Sequence, residues 1–227
     1  MHNNMITING RKMGKSYNNV IKLTELFSGE HPLLSQAFHP MTVRFFILQS
    51  HYRSTLDFSN EALQASEKAF RRLWEAYVQL NKLPETDRSE ALDAGLDARI
   101  NTLLNELPEF MDDDFSTPKV LANMFDMAPV INSIKDGHIA AGALKPETIR
   151  KMKTSFKLYL EDILGLQAID EAGNERLQSV MQLLLDIRRE AKTKKDFATS
   201  DKIRNQLMEM GIQIKDEKDG SMSWSIA

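Results

Sequence analysis

From about residue 18 to about residue 210, apolar side chains recur at intervals of three and four, and that rhythm dictates helices. Helices of this kind bury one stripe against their neighbours, so the fold class is mainly α, a helical bundle. Val43, Phe46, Ile47 and Ser50 share a face, predicting a short buried helix that ends near His51-Tyr52-Arg53-Ser54. Ser59 stands as an N-cap for a long helix carrying Leu63, Phe70, Leu73, Trp74, Tyr77 and Leu80. A polar connection around Pro84 to Arg88 ends it, and Leu92, Leu96, Ile100, Leu103 and Leu107 form the next stripe. Thr117-Pro118 places a cap and a proline at the start of a further helix, Lys145-Pro146 does the same for another, and Gly165 supplies a stop. The acidic run Asp112-Asp113-Asp114 reads as favourable charge near a helix N-terminus, with a metal site as the lesser alternative.

Both ends depart from the helical rhythm. Met5-Ile6-Thr7-Ile8 reads as a short strand running into an Asn9-Gly10 turn, because that dipeptide accepts positive φ. The basic stretch Arg11-Lys12-Met13-Gly14-Lys15-Ser16 follows. A chain opening on such a loop is expected to be a portion of a larger protein. Residues 168–174 are polar and contain glycine, predicting a domain boundary. Beyond them, Leu177, Val180, Met181, Leu184, Leu185 and Arg188 make one helix, and a second runs from about Asp196 to Met210. Ile212-Gln213-Ile214 and Ser221-Met222-Ser223-Trp224 then predict a hairpin through Asp219-Gly220. The expected organisation is a strand and loop (1–20), a helical junction (21–58), a helical bundle (59–167) and a small two-helix and β-hairpin domain (174–227).

Chemistry is confined to a few places. The net charge of −3 gives no global attraction to nucleic acid, so any RNA surface must be a local patch. The absence of cysteine excludes disulfides and thiolate metal sites and fits a reducing cytoplasm, and the five histidines show no ligand spacing. No run reaches the length of a membrane span, and no signal peptide is written at the N-terminus. Lys12 and Lys15, separated by a small flexible residue, can direct two ammonium groups at a polyphosphate, with a basic surface turn as the plain alternative. Glycine at position 14 predicts a mobile loop. Between positions 188 and 204, Arg188, Arg189, Lys192, Lys194, Lys195, Lys202 and Arg204 outnumber Glu190, Asp196 and Asp201. Phe197 sits among them. Cations for phosphates, an aromatic face and carboxylates such as Asp201 and Asp216 suit single-stranded RNA. A solvated amphipathic helix with Phe197 in its own small core is the alternative.

Lys12-Met13-Gly14-Lys15-Ser16 resembles the Lys-Met-Ser-Lys-Ser signature of class I aminoacyl-tRNA synthetases, with glycine in place of the third residue. Val43-Arg44-Phe45-Phe46-Ile47-Leu48, His51-Tyr52-Arg53-Ser54 and Leu56-Asp57-Phe58-Ser59 are similar to the segment after that loop in the cysteinyl family. So are the stretch from Met111 to Pro118 and the close from Lys195-Asp196-Phe197 through Asp201, Ile203-Arg204, Leu207 and Gly211-Ile212 to Trp224. The resemblance covers essentially the whole chain, in order.

That resemblance implies a DALR-type anticodon-binding bundle and a cysteine–tRNA ligase as the parent, joining L-cysteine to tRNA-Cys with ATP. It implies that Lys15, with Lys12, stabilises ATP phosphates held along Met13, Gly14 and Ser16. It implies base-reading roles for Lys192, Asp201 and Asp216, a packing or stacking role for Phe197, and an RNA contact at Arg204. The family often has arginine at the position of Lys192 and tryptophan at that of Phe197. Tyr52 and Arg53 either pack the junction or approach the inside corner of the tRNA. No His-Ile-Gly-His-like motif or dinucleotide fold is written here, so the cysteine pocket and its zinc are expected elsewhere, with no metal in this chain. The expected protein is monomeric and cytoplasmic and has no membrane partner. Two alternatives stand beside it, a related ligase acting on a small amine and a non-catalytic helical interaction module.

Overall fold

The computed structural model describes residues 4–85, 91–140, 142–169, 171–216 and 222–226, with the backbone alone at 171–178, 216, 222, 223, 225 and 226. The chain folds as two units, Met1–Ile169 and Asp170–Ala227.

The first unit begins with strand β1 (Ile6–Ile8), which turns into β2 (Arg11–Lys12). Asn9 and Gly10 at the turn have φ of 51° and 74°, the left-handed pair that a two-residue hairpin requires. The carboxylate of Asp57 fastens this turn, accepting from the Thr7 hydroxyl at 2.6 Å and the Gly10 N–H at 2.7 Å. Asp57 belongs to β3 (Leu56–Phe58), which lies parallel to β1 and completes a sheet of order β2-β1-β3. Sequence rhythm carries helix through this region. Three residues are too few for alternation to register, and their strand character comes from pairing with residues fifty positions away.

Helices α1 (Leu23–Ser28) and α2 (Pro40–Leu48) lie between β2 and β3. Pro40 opens α2, and His39 Nδ1 accepts the Met41 N–H at 3.1 Å. Phe45 is fully buried against Phe70 at 5.1 Å between ring centroids, whereas Phe46 packs on Phe58 of β3 at 4.9 Å. The predicted face is corrected by this arrangement: Val43 and Phe46 are inside, but Ile47 is 45% exposed and Phe45 takes a second core.

The bundle is built from α3 (Asn60–Lys82), α4 (Ala94–Asp112), α5 (Thr117–Lys135) and α6 (Pro146–Phe156), the last continuing as a π-helical turn over Lys157–Ile163. Ser59 caps α3 as its sequence predicts, accepting the Ala62 N–H at 3.1 Å. Leu80, Ile100, Leu107, Met124, Met152 and Phe156 fill the centre. Burial pushes the Tyr77 hydroxyl up to about 12, helped by its 2.6 Å bond to Glu161 Oε1.

Several helix ends are capped from elsewhere in the chain. The start of α6 is held by Asp97 of α4, whose Oδ1 accepts the Lys145 N–H at 3.0 Å. Thr117 does not cap its own helix; its hydroxyl donates to the Leu48 carbonyl at 2.8 Å and closes the end of α2. The aspartate run is also not in a first turn. Asp112 ends α4 and Asp113 caps its C-terminus, with no acidic residue in the first turn of α5.

The second unit contains α7 (Glu171–Thr193), α8 (Phe197–Glu209) and an antiparallel pair, β4 (Ile212–Asp216) and β5 (Met222–Ile226), with Ile214 opposite Trp224. The predicted Asp219-Gly220 turn lies outside the described residues. Lys195 takes a left-handed φ of 58°, and Asp196 Oδ1 then caps α8 through the Thr199 N–H at 3.1 Å. Hydrogen bonds from Thr199 hold the Asp196 carboxyl below the usual carboxylate range.

Gly165 ends the π turn at φ +60°, and a Cβ there would lie 2.7 Å from Arg44 Nη2. Arg44 reaches across from α2 to donate to the Leu164 carbonyl at 2.7 Å. Gly165→Ala therefore strains the backbone and displaces the cap, and should lower stability by about 1–3 kcal/mol in thermal or urea unfolding.

Candidate functional site

Lys12 ends β2 and Lys15 begins a short 3-10 turn over Lys15–Tyr17, and both are exposed, as is Ser16. Met13 is half-buried between them and its N–H donates to the Ile6 carbonyl at 3.0 Å. Gly14 is extended (φ −174°), a conformation open to any residue, so the loop does not need glycine for its backbone. Buried Asn19 faces this segment. Its Oδ1 accepts the Gly14 N–H at 2.9 Å and its Nδ2 donates to the Lys12 carbonyl at 3.0 Å. The Arg11 guanidinium lies over the Tyr17 ring, 4.9 Å from its centroid. Sequence reasoning passed over Asn19, Tyr17 and Asp57, because an asparagine or aspartate bonded to backbone leaves no periodic trace.

Behind the loop, Met13, Ile6, Ile21, Ile47, Tyr52 and Phe58 help to line an apolar cavity of about 400 Å³. His51, which also lines it, and Tyr52 belong to the joint between junction and bundle. The Tyr52 hydroxyl donates to Asp114, and Arg53 meets the same carboxylate through Nε at 2.8 Å and Nη2 at 3.1 Å. His51 Nδ1 accepts the Arg53 N–H at 3.3 Å, which leaves Nε2 as the donor to the Asp114 carbonyl at 3.2 Å. Asp114 and Phe115 are consecutive residues at positive φ, 61° and 54°, so this constellation holds a strained corner. The joint is thus a packed polar contact. The Tyr52 hydrogen bond, then the Arg53 charge, holds the Asp114 carboxyl below its ordinary range. Among the described residues no cluster of histidine and carboxylate groups is arranged to hold a metal ion; of the aspartate run, Asp114 is spent on this joint and Asp113 pairs with Lys119 at 3.3 Å.

In the second unit, Phe197, Asp201 and Arg204 stand at helical spacing on one face of α8. Phe197 is 63% exposed, which removes the reading in which it packs into a small core. Asp201 and Arg204 pair with each other at 3.3 Å, both about half exposed. Lys192 is half-buried in the last turn of α7. Arg188 is only 2% exposed and so leaves the predicted basic surface for the interior. Arg189 and Lys194 are tied to Asp186 and Glu190 at 2.9 and 3.5 Å. Asp216 ends β4, and its side chain lies outside the described residues.

Residues 1–68 match the family model of the class I (C) tRNA synthetase catalytic domain, and residues 108–168 match the DALR domain. The basic loop on its small sheet thus falls in the part that resembles a class I tRNA synthetase catalytic domain, and the later helices of the bundle in the part that resembles a DALR domain. Among individual proteins its similarity is to cysteine–tRNA ligases. It is 50% identical to the cysteine–tRNA ligase of Parabacteroides distasonis, over 100% of this chain and 45% of the relative. It is 46% identical to that of Porphyromonas gingivalis (100% and 44%) and 48% identical to that of Bacteroides thetaiotaomicron (97% and 44%). The chain thus spans rather less than half the length of the relatives it matches. No helix among the described residues is long and apolar enough to cross a membrane.

The lowered carboxyl of Asp114 predicts a pH dependence. Its contribution to stability is present above the unfolded aspartate value of about 4 and is lost as pH falls through the lower folded value. Asp114→Asn should lower the melting temperature at pH 7, and the gap to the parent should close on acidification towards pH 2.

Proposed function

We propose that this chain is the tRNA-handling portion of a cysteine–tRNA ligase, in which ATP, L-cysteine and tRNA-Cys give cysteinyl-tRNA. The observation that carries the reading is the exposed face of α8, where Phe197 stands free of its own core beside Asp201 and Arg204. An aromatic surface with a carboxylate and a cation one and two turns along suits unpaired anticodon bases, through stacking, acceptance from base amino groups and phosphate contact. The family resemblance adds Lys192 and Asp216 as further base-reading residues. Lysine at position 192 gives a point charge in place of a guanidinium fork.

In this reading Lys15, assisted by Lys12, offsets charge on the ATP phosphates, with Met13, Gly14 and Ser16 along the phosphate path. These 227 residues carry no cysteine and no His-Ile-Gly-His-like motif, so thiol selection, its zinc and most ATP contacts belong to sequence outside them. The 227 residues alone then have no adenylation activity, and ATP–pyrophosphate exchange by them should be undetectable. The working protein is a cytoplasmic monomer. A ligase acting on a small amine has no use for the α7–α8 unit, and nothing specific favours it.

Binding of this chain to tRNA-Cys across a salt series, against the same tRNA with its anticodon replaced, tests the reading. Preference for the cysteine anticodon is expected, with affinity falling as salt rises. Phe197→Ala should weaken binding by about tenfold to a hundredfold, the range of one lost base stack. Equal affinity for both tRNAs, unchanged in Phe197→Ala, would favour a helical interaction module.

A further inference from the structure

We propose that Asn19 is the positioning residue of the 12–16 loop, and that Arg11, Gly14 and Tyr17 form the interlocked stack that keeps the loop in one conformation. The inference rests on the phosphate-loop reading above for its functional meaning, but its geometry stands independently of it.

Asn19 is 7% exposed, and its amide is satisfied on both sides by loop backbone, the Gly14 N–H and the Lys12 carbonyl. With the Met13 N–H bonded to Ile6, three consecutive residues of the loop are tied to the sheet or to Asn19. Asn18 makes this return possible. Its φ of 52° reverses the chain after the 3-10 turn, so that Asn19 folds back beneath residues 12–14. The Tyr17 N–H meanwhile donates to the Gly14 carbonyl at 3.0 Å.

Gly14 gains its meaning from Tyr17. A Cβ at position 14 would lie 3.3 Å from Tyr17 Cδ2, closer than such atoms normally approach. The ring therefore stands tight against position 14, where a serine would push it aside by a few tenths of an ångström, and Arg11 lies over that ring. Glycine here is a packing residue. It lets an aromatic close over the loop, and the loop becomes a fixed presentation of Lys12 and Lys15 instead of a loose hinge. The one departure from the signature, glycine at 14, is thus matched to the tyrosine that follows the signature at 17.

Amide hydrogen exchange by NMR on the full chain tests this. The Gly14 amide should be protected, and Asn19→Ala should cut that protection by about tenfold, as expected for one lost buried hydrogen bond. Core amides in α3 serve as the control for folding. Gly14→Ser should also accelerate exchange at the Tyr17 amide, and adding Tyr17→Leu should restore it, a rescue that general destabilisation would not produce. An unprotected Gly14 amide in the parent chain, or a double variant no better than Gly14→Ser, would overturn the proposal. Added tripolyphosphate reports separately on the phosphate reading. Unmoved Lys12 and Lys15 resonances alongside a protected Gly14 would contradict that reading while leaving the lock in place.

Discussion

Phe45 and Phe46 are neighbours in sequence, and a helix turns its side chains by about 100° from one residue to the next. On α2 that rotation sends Phe45 into the bundle and Phe46 against the sheet. A nine-residue helix thereby becomes the wall shared by two hydrophobic cores. Burying two phenylalanine side chains contributes about 1.5–3 kcal/mol each, and the ring pairs add about 0.5–1.5 kcal/mol. The same helix sends Arg44 to the end of the π turn and receives Thr117 at its own C-terminus. The signature loop, the joint at Asp114 and the bundle thus take their places in the first unit from α2.

This arrangement separates two kinds of chemistry. The basic loop is carried on a sheet and fastened by buried or backbone-bonded polar side chains, Asn19 and Asp57, which suits a group that must meet phosphates in a defined geometry. The α8 surface is different. Its aromatic is exposed and its charged residues are paired only at the surface, where an ion pair is worth about 0–1 kcal/mol and opens readily for a stronger partner. Orientation matters most at the first site, adaptability at the second. The overall charge of −3 is consistent with both, since each cationic group acts locally.

Long helices were legible in the sequence because many residues vote for each. The Ser59 cap, the proline starts at 118 and 146 and the Gly165 stop stand where the residues place them. What escaped were features set by distant partners. β3 is three residues long and exists through its pairing with β1, and Thr117 looks like a cap for its own helix until Leu48 is seen beside it. At the site, the two lysines and Phe197 were visible by chemistry, whereas Arg188 was misplaced, because composition counts charges without knowing which face of α7 they occupy. Asn19 illustrates the same limit, since an asparagine after a basic turn looks like any loop residue until both of its amide bonds are drawn.

The central claim is that the α7–α8 unit, and not the signature loop, reads the anticodon. Titrating the isotope-labelled full chain with the anticodon stem-loop of tRNA-Cys, followed by two-dimensional NMR, addresses it directly. The account predicts shifts concentrated at the end of α7 and the first two turns of α8, around Lys192, Phe197, Asp201 and Arg204, with residues 12–16 unmoved. Shifts centred on residues 12–16 or on the Asp114 joint, with α8 silent, would contradict it.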